Sequence, residues 1–322
     1  MSTRLPLPSL PSAEPVTAPR DGRTALEFAA VTLIWGSTWL IIKGQLGTVP
    51  PAWSVAYRFA IAGAVLAAAT VATGRWRRLT IAQHGFAVVV GLTQFMLNFN
   101  LVYAAEGRLT SGLVSLVFAL LVVPNTLLAA LVFKTRVSAR FLIGTGLGIA
   151  GLALLFGRDL GGAGGAASGL GLVALAVLSA SVANVLQASG FARASPSLPL
   201  LATAMGYGAL LDGGYAWATA GAPVFDPRGE YWAGLAYLSL AASVVAFSVY
   251  YRLIRRIGPG PAAYSSVLVP VVALALSTLF EGYRWTAAAG GGAALALTGL
   301  AVALGGVRGT PAARRENPGS AG

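Results

Sequence analysis

The sequence contains no cysteine and one histidine, His84, among its 322 residues. The absence of cysteine excludes disulfides and thiolate chemistry, and a lone histidine excludes a multi-histidine metal cluster. We therefore expect neither a metal nor a cofactor. Charge is scarce as well, since only 10% of the residues are charged, against about a quarter in soluble domains. The composition does not suit a water-soluble domain.

Long apolar runs take the place of charge. Hydrophobic residues make up 56% of the chain, and its mean hydropathy is +0.74. About 20 helical residues span the roughly 30 Å of a bilayer's hydrocarbon core. We therefore predict an all-α integral membrane protein with ten transmembrane helices. The predicted segments are Ala25–Leu46, Ala52–Thr73, Gln83–Ala104, Thr110–Phe133, Phe141–Phe156, Gly169–Ala188, Leu198–Ala220, Tyr231–Ile254, Pro261–Phe280 and Thr286–Gly306.

The basic residues lie mostly on one side of these segments. Of the 22 Lys and Arg residues, 16 fall in the tails and the even-to-odd loops, five fall on the opposite side, and Arg58 lies inside a segment. The positive-inside rule then predicts a multi-pass protein of the cell membrane with both termini in the cytoplasm. Because the net charge of +12 is spread over short loops, we expect no nucleic-acid partner.

The two halves of the chain repeat each other. Phe133 matches Phe280 at an offset of 147 residues, and Gly144 matches Gly292 at 148. Five helices in each half is an odd number, so the second half should enter the bilayer inverted, as in many secondary transporters. The predicted domains are a disordered cytoplasmic tail (1–24), a first five-helix repeat (25–157), a glycine-rich linker (158–168), a second repeat (169–307) and a cytoplasmic tail (308–322).

Three stretches resemble the EamA-type repeat of the drug/metabolite transporter superfamily. They are WGSTWLIIK at 35–43 followed by PPAWSVAYRFAIAG, then YAAEGRLTSGLVSLVFALLVVPNTLLAALVF at 103–133, and IRRIGPGPAAYSSVLVPVVALALSTLFEG at 254–282. The resemblance covers about 280 residues, nearly everything between the tails. It implies an alternating-access permease for small metabolites, amino acids or drugs, often exported, with a cavity among spans three, four, eight and nine.

Two positions depart from the family pattern. The acidic residue usual at the end of the fourth helix is Lys134 here, whereas the second repeat keeps Glu281. The sixth span reads LSASVANVLQ and lacks the tryptophan often found there. Neither departure threatens the predicted fold, but both make it unsafe to transfer a substrate from a relative.

Arg58 is a candidate substrate-binding residue. It lies six residues past Ala52, about 9 Å below the outer end of span two. A charge inside a membrane usually faces the bundle interior and marks a pathway. Two alternatives are a long side chain that reaches the outer headgroups and a structural ion pair with Asp212.

Asp212 is the candidate for proton coupling. It lies fourteen residues into span seven, about 21 Å from the cytoplasmic end and at a depth similar to that of Arg58. Its short side chain cannot reach the headgroups. A buried carboxyl can bind and release a proton as its surroundings alternate between dry and wet. The alternative is a neutral acid that is bonded to a neighbouring helix, so the sequence leaves proton coupling open.

Polar side chains at helical spacing complete the candidate binding site. Gln94 and Asn98 lie one turn apart on span three beside Phe95, and Ser243 and Tyr250 lie on span eight. Amides beside aromatic rings are typical of a pocket for a small solute, whereas serines often only join helices. Pro124 and Pro270 lie inside spans four and nine, and each leaves a backbone carbonyl unpaired. Helix breaks at matched places point to a binding site, with packing kinks as the alternative.

Three classes of function fit a membrane protein of this kind. A secondary transporter that exports its substrate explains the inverted halves and the absence of a Walker-type nucleotide loop. The alternative, a membrane-embedded lipid-modifying enzyme, needs paired acids or histidines, and here the acids are scattered. A channel needs charged or carbonyl rings. The sequence therefore favours a transporter with a small-molecule substrate and a lipid environment, and it leaves a homodimer open.

Overall fold

The computed structural model describes residues 22–134, 137–156, 165–257 and 265–305. The predicted C-terminal tail, nearly all of the predicted N-terminal tail and residues 158–164 of the predicted linker lie outside these ranges. Within them the chain forms helices and no strand. The predicted all-α class is confirmed.

The described residues form ten long helices and one short one. Each predicted segment coincides with a long helix, with ends that differ by a few residues, except that residues 261–264 of the ninth lie outside the described ranges. The short helix, Gly190–Ala194, lies between the long helices Ala166–Gln187 and Ser197–Ala220. The long helices are α1 (Gly22–Gly44), α2 (Pro51–Ala72), α3 (Ile81–Glu106), α4 (Ser111–Phe133), α5 (Ala139–Phe156), α6 (Ala166–Gln187), α7 (Ser197–Ala220), α8 (229–257), α9 (Ser265–Phe280) and α10 (Ala287–Gly305).

Length and composition mark six of these helices as able to cross a membrane, namely α1, α2, α3, α4, α6 and α8. Helices α5, α9 and α10 contain shorter apolar stretches. Helix α7 is 24 residues long, but it carries Asp212 and is not among the six. The protein is therefore a multi-pass membrane protein, while ten crossings stay a prediction.

The helices begin where the sequence supplies starting signals. Pro51 occupies the first turn of α2, where its missing N–H would have no helical partner. Thr80 and Gln83 form a capping box at the start of α3, with reciprocal bonds of 2.9 and 3.3 Å. Helix α4 ends at Lys134, whose φ of 53° turns the chain out of the helix. These local signals position the boundaries of the bundle.

The helices pack in pairs that link the two halves of the sequence. Helix α2 packs on α7, α5 on α10, α1 on α8 and α9, and α6 on α3 and α4. In the α5–α10 pair small residues of the two helices meet: a Cβ atom added at Gly144 would lie 2.5 Å from the Gly299 carbonyl oxygen. This small-residue contact is thus internal to the chain and is not available as a dimer seam.

Wide turns interrupt α3 and α8 at corresponding places. Gly91–Leu97 and Leu240–Val245 are π-helical, and they are separated by 148 to 149 residues, close to the offset of the sequence repeat. Such turns are rare and frequently mark functional sites. They carry three of the predicted site residues, Gln94, Phe95 and Ser243. The sequence analysis did not predict these turns.

Each wide turn has a backbone carbonyl that is bonded from the other half of the chain. Ser179 of α6 donates its Oγ proton to the Thr93 carbonyl at 2.7 Å. Trp35 of α1 donates its indole N–H to the Ala242 carbonyl at 3.2 Å. In both cases a side chain of the first helix of one half donates a hydrogen bond to a backbone carbonyl of the third helix of the other half. The wide turns are therefore built into the contact between the halves.

Candidate substrate-binding site

Arg58 lies inside the bundle and not at its edge. Its side chain is 1% exposed, and its Nε donates to the Ser243 Oγ at 3.1 Å. The guanidinium carbon lies 4.3 Å from the centre of the Phe99 ring and 5.2 Å from that of Phe59. These distances are typical of cation–π contacts, which strengthen away from water. The side chain therefore does not extend to the outer headgroups.

The guanidinium retains hydrogen-bonding capacity. Among the described residues, Arg58 Nη1 has no hydrogen-bond partner. The Tyr103 side chain is close enough to Arg58 to interact with it electrostatically. The Tyr103 hydroxyl nevertheless makes no hydrogen bond of good geometry within the described part of the chain. The ion pairs of the described residues are Arg23–Glu27, Arg252–Glu27 and Arg228–Asp226. The alternative Arg58–Asp212 pair is thus not formed.

Asp212 has a different partner. Its Oδ1 accepts a hydrogen bond of 2.6 Å from the Nδ2 of Asn100 on α3, and the side chain is fully buried. Its Oδ2 has no partner among the residues that the structure describes. Tyr103 interacts electrostatically with both Asp212 and Arg58. The two buried charges therefore share one neighbour without touching each other.

A row of aromatic rings extends from Arg58 to Tyr250. Neighbouring ring centres are 4.8–5.7 Å apart, within the range for favourable ring pairs. The row crosses α2, α3, α8 and α1 and includes the predicted Phe95 and Tyr250. In order, the rings are those of Phe99, Phe59, Phe95, Phe247, Trp35 and Tyr250.

Of the remaining predicted residues, Gln94 and Asn98 lie on α3, Pro124 on α4 and Pro270 on α9. Gln94 and Asn98 are buried, and Asn98 donates from Nδ2 to the Gln94 backbone carbonyl at 3.2 Å. The Oδ1 of Asn98 has no partner in the described ranges. Pro124 follows a tight 3₁₀ turn, Ala119–Leu121, within α4. Pro270 lies inside the α-helix Ser265–Phe280.

The site contains six residues that were not predicted from the sequence: Trp35, Phe59, Phe99, Asn100, Tyr103 and Phe247. Phe95, Phe99 and Tyr103 are spaced at i, i+4 and i+8 on α3, so the helical period could have identified the last two. Trp35 could not have been identified in this way, because its contacts to α8 span more than 200 residues of sequence.

The arrangement suits a small solute that has both polar and apolar parts. Arg58 Nη1 can donate to an anionic group, and the carboxylate oxygen of Asp212 can accept from a cation or an N–H group. The aromatic row offers an apolar wall. Pockets for small molecules combine such walls with a few placed polar groups.

The chain is similar over most of its length to known transporters. The EamA-like transporter family matches residues 23–157 and, a second time, residues 167–305. The "Probable amino-acid metabolite efflux pump" of Escherichia coli strain K12 is 26% identical over 90% of this chain and 96% of its own length. Its namesake in Salmonella typhimurium is 27% identical over the same shares.

Two further similarities support the same assignment. An "Uncharacterized inner membrane transporter" of Escherichia coli strain K12 is 26% identical over 79% of this chain and 81% of its own. A solved crystal structure shares the fold with a TM-score of 0.64, over 87% of this chain and 96% of that one, at 23% identity. These findings identify a transporter and not an enzyme, and the chain belongs to the EamA-like transporter family.

Proposed function

We propose that the protein is a secondary transporter that exports small amino-acid-like or amphiphilic metabolites by alternating access. The observation that carries this proposal is the contact between Arg58 and Ser243, which joins the two halves at a buried cation. A buried cation with an unused hydrogen-bond donor lowers the stability of the fold. Such a group is therefore expected mainly where a function requires it. The name of two relatives, "Probable amino-acid metabolite efflux pump", supports the substrate class and the direction.

The same proposal includes ten crossings in two inverted repeats with cytoplasmic termini. The family matches the chain twice, once in each half. The wide turns recur at nearly the same offset as the sequence repeat. Their carbonyl contacts are exchanged between α1 and α8 on one side and α6 and α3 on the other. Such an exchange is expected when two similar units pack face to face about an axis in the membrane plane.

In this mechanism Arg58 binds the anionic group of the solute, and the aromatic row holds its apolar part. Gln94, Asn98 and Ser243 supply further polar contacts. The halves rock about this seam, so that the site faces one side of the membrane at a time.

Replacement of Arg58 by glutamine is expected to raise the half-saturating substrate concentration at least tenfold, which corresponds to about 1.4 kcal/mol of binding energy. Glutamine keeps a donor but loses the charge and the contact with the Phe99 ring. Uptake into vesicles over a range of substrate concentrations would measure the change. Arg108→Gln is the matched control, because Arg108 is exposed. An unchanged concentration dependence in a folded Arg58 variant would remove Arg58 from substrate binding.

The proposed function is tested with the purified protein in liposomes that are loaded with labelled amino acids and small amphiphilic metabolites. Selective release of one class from protein-containing vesicles, and not from empty ones, is the expected result. Release of nothing by a monodisperse, folded protein would contradict the proposal. An outward pH gradient and an inward one, applied in parallel, would reveal the direction in which substrate accumulates.

A further inference from the structure

A cluster of charged and polar groups, fully buried at Glu106 and Ser111 and half-buried at Glu281, lies at the outer end of the bundle. It joins the ends of α3 and α9 to the start of α4. Glu106 is fully buried, and its Oε2 accepts from Ser111 Oγ at 3.0 Å. The same hydroxyl lies 3.2 Å from Oε1 of Glu281. We call Glu106, Ser111 and Glu281 the outer cluster, where "outer" is the side on which the charge distribution predicts it to lie.

Counting hydrogens shows what the outer cluster needs. The Ser111 hydroxyl has one hydrogen but contacts two carboxyl groups, so it can donate to only one of them. Both contacts become full hydrogen bonds, rather than two acceptors sharing one hydrogen, when one carboxyl group carries a proton and donates it to Ser111 Oγ. Two ionised carboxylates this close would also repel each other. The geometry of the outer cluster therefore fits one proton shared by two acids.

Other contacts hold the cluster between the two halves. The Ser111 backbone N–H donates to Glu281 Oε2 at 3.1 Å, so a residue of the second half caps the N-terminus of α4. Lys43 Nζ donates to the backbone carbonyls of Glu106 and Leu109. The Oε1 of Glu106 has no partner among the described residues. The α4–α9 contact at this end thus depends on the state of two carboxyl groups.

The opposite end has no equivalent of Glu281. At the offset of 147 that relates Phe133 to Phe280, Glu281 corresponds to Lys134. The departure from the family pattern at Lys134 therefore leaves the acid at one end only. A gate that depends on a proton shared by two acids would therefore operate at the predicted outer face of the membrane and not at the opposite face.

We propose that Glu106 and Glu281 hold one proton between them through Ser111, and that loss of this proton opens the outer end of the α4–α9 contact. The proton passes to water and leaves two carboxylates with one hydroxyl hydrogen between them. Glu281 then moves away from Ser111, and α9 separates from α4. This inference rests on the proposed alternating-access function, for which it supplies an outer gate.

Other titratable and charged groups lie on the elements next to the outer cluster. They include Lys43 at the end of α1, Tyr103 near the end of α3 and the exposed Arg108. On the loop before α8, Arg228 donates to Asp226 and lowers the pKa of that carboxyl to about 2, so Asp226 stays ionised throughout. The single histidine lies on α3 at the other end, bonded to Tyr207.

The absence of cysteine from the chain allows a direct test by thiol labelling in nanodiscs. Ser277→Cys places a thiol on α9 below the cluster, at a fully buried position whose hydroxyl has no partner among the described residues. A Cβ atom at Gly112 of α4 would lie 3.1 Å from that of Ser277, so the reporter is in the α4–α9 contact. Ala222→Cys, on an exposed loop, corrects for the rise of thiol reactivity with pH.

The labelling rate of the reporter, divided by that of Ala222→Cys, should rise at least tenfold from pH 6 to pH 8.5. Glu281→Gln and Glu106→Gln should each remove this rise and keep the reporter slow, because an amide bonds to Ser111 at every pH. Ser111→Ala should give fast labelling at both pH values.

A flat ratio in the parent protein would overturn the proposal, and so would an undiminished rise in Glu281→Gln. The glutamine variants keep the size of the native side chains, so the test does not depend on Ser111→Ala being folded. No substrate is present. A failure of the gate proposal is therefore distinguishable from a failure of the transport proposal, which is tested by release from liposomes.

Discussion

Gly151→Leu is expected to prevent folding of the protein. A Cβ atom at Gly151 would lie 2.6 Å from the backbone oxygen of Gly292 on α10, and closer still to the backbone nitrogen of Ala296. Backbone atoms of a helix cannot move aside as a flexible side chain can, so α5 and α10 would have to separate along their length. Close backbone packing of small residues is a main source of helix association in lipid, where burial of apolar surface gives little.

The effect is measured as the yield of monodisperse protein after extraction and as its thermal midpoint. Gly151→Ala should lower the free energy of unfolding by about 1–3 kcal/mol, the usual cost of overpacking, and Gly151→Leu should leave no monodisperse fraction. Gly146→Leu is the control on the same helix, since Gly146 is exposed and a Cβ there meets nothing within 4 Å. Equal yields from the two leucine variants would refute the close α5–α10 contact.

Local patterns were enough to predict the helices. Apolar length and the breakers between segments placed the described helices within a few residues of their observed ends, because these features act within one helix. The predicted start of the ninth segment lies outside the described residues. The sequence also identified Arg58 as a charge inside span two, but it left open whether the side chain is buried in the bundle or extends to the outer headgroups. Pro51 and the capping box at Thr80 mark helix starts that are readable in the sequence alone.

Contacts between helices were not predictable in the same way. The bond from Arg58 to Ser243 and that from Asn100 to Asp212 join residues more than 100 positions apart, and no local period encodes them. The sequence allowed an Arg58–Asp212 pair because it gave depth but not the direction of each side chain. The wide turns were not predicted for a related reason. A π turn adds one residue to a single turn of a helix, and one added residue does not visibly change an apolar pattern with a period of 3.6 residues.

The position of Asp212 predicts the largest functional effect. Asp212 is fully buried, accepts one hydrogen bond from Asn100 and has a second oxygen without a partner in the described part of the chain. A carboxyl group of this kind can carry a proton while the site is dry and lose it when the site becomes wet. We therefore propose that Asp212 carries the proton that is exchanged for substrate.

Asp212→Asn is expected to abolish accumulation that is driven by a pH gradient while substrate exchange at equal pH persists. With one proton per substrate and no membrane potential, a gradient of one pH unit supplies about 1.4 kcal/mol, enough for about tenfold accumulation. With the gradient imposed, the asparagine variant should accumulate no more substrate than it does without a gradient. The amide matches the carboxylate in size and can still accept from Asn100, so the bundle is preserved.

The measurement is the ratio of labelled substrate inside and outside proteoliposomes, with and without the gradient, beside counterflow at equal pH. Glu230→Gln is the matched control, because Glu230 is an exposed acid at the start of α8. Tenfold accumulation that survives in Asp212→Asn would assign coupling to another acid. The outer cluster would then become the next candidate, since Glu106 is the other fully buried carboxyl within the described helices, and loss of accumulation in Glu106→Gln alone would identify it.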